Sequence, residues 1–163
     1  MSQQLETLIN NQINLEQHAS SKYLAMSAWF ETTPYSGFAA WMRKQSDEET
    51  EHAMKFFDYV NSRGNTVRLQ ALDKPQESWD SALDAFRTSL ESEQLVSRRI
   101  REIYEFAMNE KDFETLNFLN WFLEEQIEEE ENAQDYIDRL ELAGDHVSAL
   151  MRLDREAGKE ADS

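Results

Sequence analysis

Apolar residues return every three or four positions along nearly the whole chain, and almost nothing interrupts them. Only 4 of the 163 residues are glycine and 2 are proline, so sharp turns are few. Such a chain spends its length in long elements. The spacing selects helix over strand, because steps of three and four draw one stripe down a helix surface. The first stretch, about Ser2 to Thr32, carries Leu5, Leu8, Gln12, Leu15, Ala19, Tyr23, Met26 and Phe30 on its stripe. It closes before Pro34, whose ring disfavours helical angles in the preceding residue. Ser36 is positioned to cap the second stretch, about 37 to 63, with Phe38, Trp41, Gln45, Glu49, His52, Phe56 and Val60 aligned. Gly64 stops it.

Residues 65 to 77, including Pro75, break the pattern. Their full extension of roughly 43 Å matches the roughly 40 Å of a helix of about 27 residues, enough to cross a bundle end to end. Ser78 is the expected cap of a third helix that ends near Asn109, with Trp79, Leu83, Phe86, Leu90, Glu93, Ser97, Ile100, Tyr104 and Ala107 on its stripe. Asp112 caps a fourth, ending near Ala143, with Leu116, Leu119, Leu123, Gln126, Ala133, Tyr136 and Leu140 aligned; Gly144 stops it. Asp145 is the expected cap of a short fifth helix, about 146 to 156, followed by frayed residues. The expected fold is all-α: a four-helix bundle with one long crossover connection and a short fifth C-terminal helix.

Composition narrows the function. Lys and Arg number 16 against 33 Asp and Glu, a formal charge of −17. Such a surface repels nucleic acid and anionic membranes and attracts cations. The chain has no cysteine, which removes disulfides, thiolate metal sites and a cysteine nucleophile. No apolar run approaches membrane-spanning length and the polar N-terminus has no leader-like core, so the expected location is cytoplasmic. Trp29, Trp41 and Leu72 are the expected apolar surface for partners.

The informative residues are polar ones on apolar stripes. Glu16 lies on the inner edge of the first helix. Glu49 and His52, three apart, share a face of the second. Glu93 interrupts the third stripe, and Gln126 and Glu129 share a face of the fourth. Each lies near the middle of its helix, so all four helices present polar groups at one level. Buried carboxylates are costly unless protonated or paired with a cation. Like charges four apart within Glu124 to Glu131 cost about 0.2–0.5 kcal/mol per exposed pair, and the run circles the helix, so it is not one solvated face. Singly, these signals are weak: a lone Glu-x-x-His arises by chance, an acidic run is usually solvated, and Tyr23 alone reads as core. His18 and His146 have no matching partners and read as surface. The set together points to a metal. Oxygen donors with one imidazole suit iron or manganese better than zinc, and the spacing is not that of a calcium loop.

The motifs Asn14-Leu15-Glu16, Tyr23 with Met26-Ser27-Ala28-Trp29, and Glu48-Glu49-Thr50-Glu51-His52 now acquire a context. With Glu93-Gln94-Leu95, Asn117 to Phe122, and Glu125 to Glu130, the chain resembles ferritins of the non-haem bacterial and archaeal type over nearly all its length. The resemblance implies one ferritin-like domain over 1–163, with the bundle at about 2–143. It implies iron storage through a di-iron ferroxidase centre, a site plan general to carboxylate bundles. Glu16 and His52 would hold the first iron, Glu49 would bridge, and Glu93 and Glu129 would hold the second, with Gln126 beside it. Glu48, Glu125 and Glu128, together with Glu129, match a third iron site. Tyr23 would hydrogen-bond a ligand and supply an electron, and Trp121 would be a redox neighbour. Fe(II) and O2 or H2O2 would be the substrates, and ferric mineral would form inside a hollow shell of 24 identical subunits, with the fifth helix near its fourfold axes. Bacterioferritins place a haem-ligating methionine where this chain has Thr50, so no haem is expected. Gln126-x-x-Glu129 replaces the second Glu-x-x-His of many di-iron proteins, which implies a second iron held less tightly.

Rival readings remain at this point. A rubrerythrin-like peroxidase would share the bundle, although such proteins usually carry a cysteine-rich iron domain. An acidic bundle that buffers divalent cations without redox chemistry is a second, and a purely structural bundle a third.

Overall fold

A computed structural model describes all 163 residues and contains five helices and no strand. These are α1 (Gln3–Phe30), α2 (Ser36–Ser62), α3 (Ala82–Glu110), α4 (Phe113–Ala143) and α5 (Val147–Ala161). No helix is long and apolar enough to cross a membrane. The side chains of Ser2 and Asp112 accept the N–H groups of Leu5 and Thr115, capping α1 and α4. Gly64 and Gly144 have φ of +70° and +53° and terminate α2 and α4.

Four local expectations are corrected. Ser36 is the first residue of α2 and caps nothing; its N-cap, Tyr35, makes no side-chain capping bond. The cap comes instead from α5, where Asp154 Oδ1 accepts the Phe38 N–H at 2.8 Å. Ser81, not Ser78, caps α3 through the Asp84 N–H. Trp79 therefore lies outside the helix, yet it is buried and its Nε1 donates to Thr88 Oγ1 at 3.0 Å. At α5, His146 rather than Asp145 is the N-cap, and the helix continues to Ala161 instead of fraying near 156. Its apolar face and its ties to the bundle, such as Tyr136 to Glu160 at 2.8 Å, hold those last turns.

The connection between α2 and α3 travels along α1. Asn65 donates to Glu6, Asn10 accepts from the Arg68 N–H, Asn14 donates to the Ala71 carbonyl, and Lys74 and Pro75 reach the surface of Ala28 and Trp29. This climb starts α3 at the opposite end from where α2 stopped, so the two run parallel. Ser2 meeting Glu110, and Arg63 meeting Asp112, fix the antiparallel neighbours.

The interior has two apolar halves. One gathers Tyr23, Met26, Phe30, Phe38, Trp41, Phe86 and Tyr136; the other gathers Leu5, Ile9, Phe56, Val60, Ile100, Leu119 and Phe122. Each fully buried large side chain contributes about 1.5–3 kcal/mol. Trp41 is 5% exposed, so the expectation that it offers surface to partners is overturned; its ring fills the core against Phe86. Trp29 is half-buried against Trp79, and Leu72 is exposed. Between the two halves lies a polar layer.

Candidate metal centre

Every helix of the bundle contributes to that layer from near its midpoint. Glu16 of α1, Glu49 and His52 of α2, Glu93 of α3, and Gln126 and Glu129 of α4 are all at most 5% exposed. The alternation of apolar turns above and below forces them inward, since rotating any helix to release its glutamate would expose its aromatic stripe. One ligand atom from each of Glu16, Glu49 and His52 lies within 4.8 Å of the others. His52 Nδ1 is 3.8 Å from Glu49 Oε2.

Five buried side-chain atoms in the molecule have no hydrogen-bond partner: Glu16 Oε2, Glu49 Oε1 and Oε2, His52 Nδ1 and Gln126 Oε1. All belong to this layer. Orphaned buried polar atoms are rare because each costs about 1–3 kcal/mol. Three of the four residues, Glu16, Glu49 and His52, are those whose ligand atoms converge within 4.8 Å, and carboxylate oxygen with imidazole is a donor set that suits a divalent cation.

Other atoms of the layer are already bonded. Tyr23 donates its hydroxyl to Glu93 Oε1 at 2.5 Å and stands 2.9 Å from Ser89 Oγ. Gln126 Nε2 donates to Glu93 Oε2 at 3.1 Å. Gln45 donates to Glu129 Oε2, and Gln12 to Glu16 Oε1, each at 2.7 Å.

Burial raises the carboxyl pKa values. Glu16 is pushed well up by loss of water and then by Glu49; Glu49 is pushed well up by burial and then by Glu93. Glu93 is raised by burial, and Glu129 is raised to about 8 by burial and then by Glu93. Tyr23 is also raised, by burial and the neighbouring carboxylates. Each of the carboxyl shifts favours the neutral acid over the carboxylate, an opposition that a nearby cation would relieve.

The remaining expected residues lie further out. Glu48 and Glu125 are half-buried and Glu128 is exposed, so the three expected at an additional site flank the layer without joining it. Burial raises the Glu48 carboxyl. Trp121 is 39% exposed and sits edge-on to His52, ring centroids 5.4 Å apart, with Lys55 Nζ 3.8 Å from its centroid. Reading the sequence for metal ligands passes over Gln12 and Gln45, although each lies one turn before a glutamate, Glu16 or Glu49, on the same stripe. That repeated Gln-x-x-x-Glu was the available signal.

The fold and this layer together define a carboxylate-rich metal bundle. Residues 6–143 match the ferritin family model, described as a ferritin-like domain. A bacterial non-heme ferritin of Staphylococcus aureus (strain USA300) is 38% identical over 158 residues, covering 97% of this chain and 95% of that one. A bacterial non-heme ferritin of Staphylococcus haemolyticus is 37% identical over 156 residues, covering 96% and 94%. Among solved structures, an open pore ferritin from the hyperthermophilic archaeon Archaeoglobus fulgidus superposes with a TM-score of 0.96 at 44% identity, covering 97% of this chain and 98% of that one. The chain belongs to the ferritin family, and its function is iron storage.

Proposed function

We propose that the polar layer is a ferroxidase centre, in which paired Fe²⁺ ions are oxidised before storage. The observation that carries this is the set of orphaned donors on Glu16, Glu49, His52 and Gln126. Glu16 and His52 hold the first ion. Glu49, with both oxygens free, bridges. Glu93 and Glu129 hold the second, with Gln126 at its edge.

Binding is ordered by what is already engaged. The first position needs only the departure of protons. The second draws on oxygens that already accept hydrogen bonds, Glu93 from Tyr23 and Gln126 and Glu129 from Gln45, and are weaker donors for it. It therefore fills later and empties sooner, which suits passing iron onward. Two Fe²⁺ give two electrons in one encounter; dioxygen accepting them with two protons leaves as hydrogen peroxide. The protons displaced from the layer are the local supply.

Tyr23, which donates to Glu93, and Trp121, edge-on to His52, are the redox-capable side chains beside the centre. Glu48, Glu125 and Glu128, together with Glu129, form a third iron site; Glu48 and Glu125 lie close enough to Glu129 to raise its carboxyl, which supports the grouping. A 24-subunit shell encloses the mineral.

The test is stopped-flow ferric absorbance after two Fe²⁺ per chain are added aerobically. We expect a fast phase that saturates near that ratio and is lost in Glu49→Ala. A slow rise equal to protein-free buffer would reject the ferroxidase reading and leave storage without a catalytic centre.

A further inference from the structure

We infer that Gln12 is a positioning residue that restricts Glu16 to a single metal-binding oxygen. The inference rests on the centre proposed above and adds a residue to it. Gln12 is 1% exposed and lies one turn before Glu16 on α1. Its amide donates to Glu16 Oε1 at 2.7 Å, while Glu16 Oε2 is buried and unpartnered. One oxygen is thus held and the other is offered. Glu49, next to it, has both oxygens free.

The far side of Gln12 faces a largely polar cavity of about 350 Å³ between α1, α3 and the crossover, shared with Asn11, Asn14, Gln70, Arg99 and Glu102. Gln70 donates to Asn11 at 2.8 Å, and Arg99 pairs with Glu102 at 2.7 Å, so this wall is built of satisfied polar groups. The Gln12 amide is the layer between that cavity and Glu16.

Coordination chemistry gives the arrangement a use. A carboxylate that chelates through both oxygens takes two positions on the metal; one that binds through a single oxygen takes one. With Oε1 occupied by Gln12, the first ion keeps a position for dioxygen or for exchange. Without Gln12, Glu16 turns both oxygens onto the ion. The ion is then held longer and has less room for a co-reactant.

Co²⁺, added without oxygen to the full chain, is a probe that needs no redox step. Its visible bands weaken as coordination number rises. Gln12→Met keeps the volume and removes the donor; Gln12→Asn keeps an amide but is one methylene too short to reach. Gln70→Leu alters the cavity without touching Glu16. We expect both Gln12 variants to bind Co²⁺ with weaker visible bands and to lose it to a chelator more slowly than the unaltered protein, the reverse of what removing a merely supporting hydrogen bond does. Gln70→Leu should match the unaltered protein. Spectra indistinguishable from the unaltered protein in both Gln12 variants would overturn the inference. So would weaker retention of Co²⁺ in both, since Gln12 would then support Glu16 and not restrict it. An absence of Fe²⁺ oxidation in the unaltered protein would overturn the ferroxidase reading alone, because the cobalt spectra read Gln12 independently.

Discussion

Glu49 sits in the middle of α2 with both carboxylate oxygens buried and unbonded, and its neighbours Glu16, Glu93 and Glu129 are also acids held above their ordinary pKa values. For a carboxyl raised in the folded state, the unfolded chain gives up its proton first. Metal-free stability is therefore full at acid pH and falls as pH rises from the ordinary glutamate value of 4.5 towards about 8, the value for Glu129. Each such group steepens the fall by up to about 1.4 kcal/mol per pH unit. The melting temperature of the metal-free protein should drop between pH 5 and pH 8, and Glu129→Gln should flatten the drop. An unchanged slope in that variant would reject the linkage. The buried glutamates were legible in sequence because a charge on an apolar stripe is conspicuous. Gln12 and Gln45 were marked only by the repeated Gln-x-x-x-Glu spacing, which does not say what a neutral amide on a stripe will bond. Their role is a hydrogen bond whose partner, for Gln45, lies on another helix.

Helix ends show the same division. Asp112 was readable as a cap because its acceptor, the Thr115 N–H, is three residues away. The Arg63 partner that holds its carboxyl down at about 2 comes from α2. For an acid lowered in the folded state, the stabilisation is present above the unfolded value of 3.8 and is lost as pH falls towards about 2. Asp112→Asn should cost about 1 kcal/mol at neutral pH, and the difference from the unaltered protein should vanish below that window in urea titrations. A gap that persisted at the lowest pH would show that the ion pair is not its source. At α2 no nearby residue does this work. Asp154 reaches the Phe38 N–H from α5, 116 residues away in sequence. Gly37 permits the approach, since a Cβ there would lie 1.8 Å from the Asp154 carbonyl oxygen. Asp154→Ala leaves a buried N–H without a partner and should cost about 1–3 kcal/mol in thermal melts. Gly37→Ala should release α5 to limited proteolysis while the bundle stays folded. Resistance of α5 equal to that of the unaltered protein would refute the packing argument. Neither residue carries a local signal, because the bond spans the chain.

Taken as a molecule, the bundle is two apolar halves joined through a layer of acids, and its ends remain unfinished. Leu142 is 88% exposed, Val147 70% and Phe113 69%. Assembly into a shell would cover such positions. Sedimentation should find the protein as a 24-subunit particle, and Leu142→Glu should shift it to smaller species. A lone chain in the unaltered protein would reject the shell. By itself, the sequence determined the helices, their order, the long crossover and the level at which the buried acids meet, because periodicity and punctuation are local and the mid-helix positions can be counted. Only the tertiary structure decided which carboxylate oxygens are already bonded, which glutamines hold them, which residue caps α2, and that Trp41 is core. Each of those depends on a distance between helices, and a distance between helices is set by how all the stripes pack at once.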